Sequence, residues 1–272
     1  MRAVNGEVDR YGSPGAPLAI LVHGAVANRK TWLPVARQLS ARFEVWCPDL
    51  PGHGSRGSET FTLAGALDAV AVLVAQAGPR RAIVAGDSLG GYVALALAAR
   101  EPAGVASVVA GGCTWTMTGA YGTLARASDV PVALLTRVVG RERMLRASES
   151  LVPLVAGRDV ARDIVAAGLR LESRSESLRE LAGLDLVALV REIRVPIAFV
   201  NGRYDWPTRA GERALLRASS DASLSISPRC GHGVGLLDAP FFARAIETLS
   251  ARTRAERGAL SYRNRCRRGP SP

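Results

Sequence analysis

Three side chains far apart in the sequence have the types needed to attack an acyl carbon: Ser88, His232 and Asp205. Ser88 is the centre of GDSLGG (86–91), where the apolar run AIVA gives way to the alanine-rich stretch YVALALAAR. A serine between glycines at a strand-to-helix junction fits a turn so sharp that residues 86 and 90 have no room for side chains. Such a turn lifts the hydroxyl above the sheet. The helix that follows points its positive end at negative charge developing there. A helix-capping serine would explain the hydroxyl and one glycine, but not the whole arrangement.

A hydroxyl is a weak nucleophile without a base. The chain has three histidines, and His23 and His53 sit in tight HG and PGHG loops. His232, in CGHGVGLLDAP, follows the last strand pattern and precedes the last helix pattern, so it can reach Ser88 from the carboxyl edge of a sheet. A base of this kind needs an acid on its far nitrogen. Asp205 in NGRYDWPT leaves the strand pattern VPIAFV on that same edge. Asp221 precedes the last strand and Asp238 lies beyond the histidine, so both compete less well. The order Ser88, Asp205, His232 is that of the strand-to-helix nucleophile motif.

The elements that must position these groups alternate. Apolar runs at Leu18–Val22, Phe43–Cys47, Ala82–Ala85, Val105–Ala110 and Val195–Val200, with a weaker one at Ser223–Ser227, read as strands. Between them lie stretches of helical period, so the chain reads as α/β with a mostly parallel sheet flanked by helices. From Cys113 to Glu192 the rhythm breaks into helix patterns with no strand between them, which reads as an inserted helical cap. The expected division is a core of residues 1–112 and 193–251, a cap of 113–192, and a basic tail of 252–272.

Hydrophobic residues make up 48% of the 272 and charged residues 22%, a globular balance rather than a disordered one. No apolar run approaches the roughly 18 residues of a membrane helix, and no membrane partner is expected. The first residues lack the apolar core of a secretory signal, and the four cysteines are scattered, which points to the cytoplasm. The tail carries seven arginines and one glutamate, hence +6 of the formal +11. It has one aromatic residue and no nucleic-acid-binding module, so it reads as a disordered, solubilising segment with no specific nucleic-acid partner. Cys230 lies near His232 without further ligands, so no metal and no cofactor is called for.

LVHGAVANRKTW, DLPGHGSR, GDSLGG, NGRYDWP and CGHG, in this order over about residues 10–250, resemble the α/β-hydrolase superfamily, specifically its compact cap-bearing branch. The resemblance implies an eight-stranded sheet with an antiparallel second strand. The first two strands would have to fit before Leu18, which leaves room for one to be short or missing. It also implies an oxyanion hole formed by the backbone N–H groups of Ala25 and Leu89, and supporting roles for Asp49 and His53. Ser88 argues against the branches that use an aspartate nucleophile. Asp87 departs from the residues common at its position; it would orient a neighbour, alter local electrostatics or simply pack.

The expected chemistry is hydrolysis of a small-molecule carboxylic ester through an acyl-serine. Thioesters, lactones, carbon–carbon bond cleavage and ligand binding without turnover are the alternatives on the same fold. Trp115, Met117, Tyr121, Leu124 and Trp206 are candidates for the substrate pocket. Oligomeric state is not legible in the sequence.

Overall fold

The computed structural model describes residues 7–100 and 103–267, the side chains of Tyr121 and 256–267 excepted. Seven strands form one sheet: β1 (Val8–Tyr11), β2 (Leu18–Val22), β3 (Glu44–Pro48), β4 (Ala82–Asp87), β5 (Val105–Gly111), β6 (Ile197–Gly202) and β7 (Ala222–Ser227). Their order is β1-β3-β2-β4-β5-β6-β7. All neighbours run parallel except β1, which is antiparallel to β3. The strand the sequence left unmarked is β1. Its VDRY is polar because it is an edge strand, and its charges are used: Asp9 bonds Arg29 and Lys30, and Arg10 lies 4.4 Å over the Trp46 ring. Among the described residues no strand precedes it, so the sheet has seven strands there rather than eight.

The strands alternate their side chains between two cores. On one face, Leu18, Ile20, Val22, Val84 and Val108 meet α2 (Leu63–Gln76) and α3 (Leu89–Arg100). On the other, Ala19, Leu21, Ala85 and Val109 meet α1 (Leu33–Leu39) and the last helix. Helix α2 starts where Thr62 accepts a hydrogen bond from the Gly65 N–H at 3.0 Å.

Six helices fill the interval between β5 and β6: α4 (Gly119–Ala127), α5 (Val130–Val139), α6 (Arg141–Ala156), α7 (Arg158–Ala166), α8 (Glu172–Glu180) and α9 (Leu186–Glu192). The inserted helical cap expected from the broken rhythm is therefore present. Helix α9 differs from its neighbours in packing: Leu186 and Val190 enter the main core beside α3. After β6 come α10 (Glu212–Ala218), the single turn α11 (Val234–Leu237) and α12 (Ala239–Arg267).

Helix α12 continues through Arg267, into the segment that the sequence division sets apart as a basic tail. The sequence RTRAERGALSYRNRC holds five arginines, which favour a helix, and meets no proline before Pro270, so a helix already under way can run through it despite Gly258. Residues 268–272 lie outside the described residues.

Asp49, just after β3, organises the loop at that strand's end. It accepts from the backbone N–H of Arg29 at 2.8 Å and of Ser55 at 2.9 Å, from the Ser55 hydroxyl at 2.9 Å, and from the Arg29 guanidinium. Its side chain is fully buried. Replacing one member of a buried ion pair strands the other, so Asp49→Ala is expected to lower stability by about 3 kcal/mol. Chemical denaturation of the two proteins checks it; equal stabilities would remove Asp49 as the organiser of this loop.

Candidate active site

β4 ends at Asp87 and α3 begins at Leu89, so the whole reversal of direction falls on Ser88. Its φ of 56° is in the left-handed region that residues with a side chain avoid. Close backbone approach leaves no alternative. A Cβ on Gly90 would stand 1.9 Å from the Val22 carbonyl oxygen, and one on Gly86 would stand 2.1 Å from the Gly90 oxygen. The Ser88 N–H donates to the Gly111 carbonyl at 2.8 Å, which ties the turn to β5.

The base and the acid come from the loops after β7 and β6. These loops are pressed together at Gly202, where a Cβ would fall 2.1 Å from the Gly231 carbonyl oxygen. The Tyr204 N–H donates to the Cys230 carbonyl at 3.2 Å across the same contact. The result is one chain of hydrogen bonds: Ser88 Oγ to His232 Nε2 at 2.8 Å, and His232 Nδ1 to Asp205 Oδ2 at 2.8 Å. Thr208 also donates its hydroxyl to Asp205 Oδ2, a partner that the sequence did not single out. Burial by itself would lower the His232 pKa, but the bond to Asp205, its charge and that of Asp87 outweigh burial and raise it above 6.5. The Asp205 carboxylate thus stabilises the imidazolium that forms when serine is deprotonated.

The other titratable candidates are engaged elsewhere. His23 is fully buried; its Nε2 accepts from the Leu50 N–H at 3.0 Å and its Nδ1 donates to the Gly24 carbonyl at 2.8 Å. The His53 ring lies tilted beside it with centroids 4.9 Å apart, and burial pushes its pKa down to about 3. Both are neutral supports. Asp221 pairs with Arg252, and Asp238 accepts from Ser227 at 2.7 Å. Among the described residues no group of three or more His, Cys, Asp or Glu side chains could hold a metal ion.

Beside Ser88 lies a cavity of about 160 Å³ whose walls include Ala25, Ala27, Trp32, His232 and Leu236. Trp115, Met117, Leu124 and Trp206, expected in the pocket, do not line this cavity. Met117 is buried and Trp115 is packed against the main core, whereas Leu124 and Trp206 are 58% and 77% exposed. Tyr121 lies on α4, and its side chain is outside the described ones. Ala27, Trp32 and Leu236 were missed, although they belong to the segments that carry the Ala25 and His232 motifs. A small cavity at the rim is walled by residues adjoining those motifs rather than by distant aromatics.

The cap reaches this rim through the loop that carries Ala25. Val26 donates its N–H to Ser173 Oγ at 2.7 Å and accepts from the Arg170 N–H at 3.0 Å. Asn28 donates to the Ile164 and Gly168 carbonyls, both at 2.9 Å. Helix α8 and the turn before it therefore hold the loop in place.

An activated hydroxyl, a base with its acid and a cavity at one sheet edge make this a Ser-His-Asp serine hydrolase equipped to cleave carboxylic esters. Comparison with known proteins agrees. Pimeloyl-acyl-carrier-protein methyl ester esterase of Neisseria meningitidis serogroup C is 31% identical over 86% of this chain and 94% of its own length. The protein of the same name from Nitrosomonas europaea is 29% identical over 79% of this chain and 88% of its own. The solved structure of MenH from S. aureus shares the fold, with a TM-score of 0.75 and 17% identity over 92% of this chain and 99% of that one. A family model described as the alpha/beta hydrolase family matches residues 19–245, from the first parallel strand into the last helix, and the chain belongs to that family.

Proposed function

We propose that the protein hydrolyses small acyl esters of small alcohols, methyl esters among them, through an acyl-serine intermediate. The observation that carries this is the unbroken hydrogen-bond chain from Ser88 through His232 to Asp205 at the wall of an apolar cavity. At about 160 Å³ the cavity suits a short alkyl or acyl group; drug-sized ligands take about 300–1,000 Å³. The methyl ester esterases among its relatives support the same alcohol.

In the first half of the cycle His232 Nε2 takes the Ser88 proton as Oγ bonds to the carbonyl carbon, and the carbonyl electron pair moves onto oxygen. The N–H groups of Ala25 and Leu89 receive that oxyanion. Leu89 is the first residue of α3, where helical N–H groups have no carbonyl within the helix, and Ala25 lines the same cavity. The imidazolium then protonates the leaving alcohol oxygen as the carbon–oxygen bond breaks. In the second half His232 deprotonates water, which adds to the acyl carbon, and the returning proton restores Ser88 as the acid departs. Residues 113–192, the cap of the sequence division, form the lid of the site, and the core supplies the chemistry. The free thiols of Cys47, Cys113 and Cys230 support a reducing, cytoplasmic setting.

A panel of acyl esters, acyl thioesters, lactones and diketones, run on the protein and its Ser88→Ala form, tests the assignment. Short acyl esters are expected to be cleaved, with loss of about 10⁶ in kcat on removing the hydroxyl; cleavage of a diketone alone would overturn it. Asp205→Asn is expected to reduce kcat by about 10⁴ with KM little changed. Because the base must be neutral and its pKa is raised, kcat/KM should climb with pH through a midpoint above 6.5. A midpoint well below that value would mean that the network does not charge-stabilise His232.

A further inference from the structure

One buried ionisable group beside the site has no part in the cycle just described. Asp87 ends β4 and immediately precedes the nucleophile, and only 7% of it is exposed. Its Oδ2 accepts the Gly235 N–H at 2.8 Å, three residues after His232 and inside α11. Its Oδ1 is buried and has no hydrogen-bond partner. An unsatisfied buried carboxylate oxygen costs folding free energy, so a purely structural anchor would be better served by a neutral side chain.

The surroundings show what the second oxygen faces. A Cβ at Gly112 would stand 3.1 Å from Asp87 Oδ1 and 3.3 Å from both Cε1 and Nδ1 of His232. A Cβ at Gly111 would stand 2.9 Å from the same oxygen and 2.8 Å from Phe242. Gly112 therefore clears a space that the carboxylate and the edge of the imidazole share, and Gly111 makes room for the carboxylate against Phe242. At Gly235 the site for a Cβ is taken by the Trp32 ring, 2.5 Å away, with Asp87 Oδ2 at 3.2 Å. The carboxylate belongs to the wall of the cavity and is almost wholly buried, so its charge acts over a longer range than at a surface.

We infer that Asp87 is a positioning residue for the base: Oδ2 fixes the backbone that presents His232 to Ser88, and Oδ1 sets a second negative charge beside the imidazolium formed during acylation. The inference rests on the serine-hydrolase reading. Asp205 supports the ring through Nδ1, and Asp87 supports it from the strand that bears the nucleophile. The remaining groups around the pair are Arg174 from α8, which opposes a charged imidazole, and the thiols of Cys113 and Cys230. Burial raises both thiol pKa values, so neither carries charge at neutral pH. Burial likewise raises the Asp87 pKa, opposed first by the charge of His232, so each group favours the ionised form of the other.

The Asp87→Asn form separates charge from shape, since an amide oxygen can still accept from Gly235. The chain has three histidines, and His23 and His53 are buried, so nitrogen NMR of ¹⁵N-histidine-labelled protein follows the His232 titration whether or not the ester assignment holds. Wild type and Asp87→Asn are titrated, and kcat, KM and thermal midpoint are measured on a p-nitrophenyl acyl ester over the same pH range. Removing the charge is expected to move the His232 midpoint and the acid limb of kcat/KM down by about half a unit or more. It should reduce plateau kcat about threefold, with KM nearly unchanged and the thermal midpoint no lower than that of wild type. Asp87→Ala, which also frees Gly235, should lose more kcat and lower the thermal midpoint. An Asp87→Asn protein whose His232 titrates at the wild-type midpoint would overturn the inference, even if it were less stable. Absence of ester cleavage by wild type with the titration shift intact would defeat the substrate assignment alone.

Discussion

The site depends on a single backbone crossing. At the end of β4 the chain reverses within one residue, and the neighbouring backbone passes so close that positions 86 and 90 admit only hydrogen. Ser88 takes the strain at φ 56°, a conformation that costs about 1–3 kcal/mol and persists only where surroundings enforce it. Here enforcement comes from Val22 below, Gly111 beside and α3 above. The gain is a hydroxyl held clear of the sheet at the start of a helix. Every other functional group has to arrive at that point from another strand end.

Two loops do so because they are mutually constrained. Gly202 at the end of β6 touches the backbone of Gly231, so acid and base loops form one layer and their relative position is not free to drift. Asp87 adds a third attachment, from the nucleophile strand to the helix after the base. The cap attaches separately through Ser173, Arg170 and Asn28, whose bonds converge on the loop that carries Ala25. Orientation of the base and shape of the loop that carries Ala25 are thus controlled by different parts of the chain.

Much of this was legible because its physical causes are local. GDSLGG announces a turn that excludes side chains, and five short apolar runs announce buried strands while a weaker one announces the half-buried β7, all within two residues of their observed limits. The order and loop positions of Asp205 and His232 follow from a parallel sheet, which gathers the carboxyl ends of its strands on one edge. What escaped was what depends on packing. β1 was left unmarked because an edge strand has no apolar run to show; only the family resemblance asked for a strand before Leu18. Trp115 and Met117 looked like pocket residues because an aromatic or methionine in a cap segment does not reveal which way it turns. Helices α5 and α6 show helical pattern yet have no buried residue, so their periodicity told nothing of what they pack on.

The central claim is that Ser88 becomes acylated during turnover. Mixing the protein with p-nitrophenyl acetate, quenching in acid within the first turnovers and sequencing the peptide that spans Gly86–Gly91 by mass spectrometry reads this directly. One acetyl group is expected on Ser88, formed in step with a burst of p-nitrophenol and absent from a His232→Ala protein. Acetyl on another residue, or full turnover with Ser88 unmodified and no burst, would contradict it.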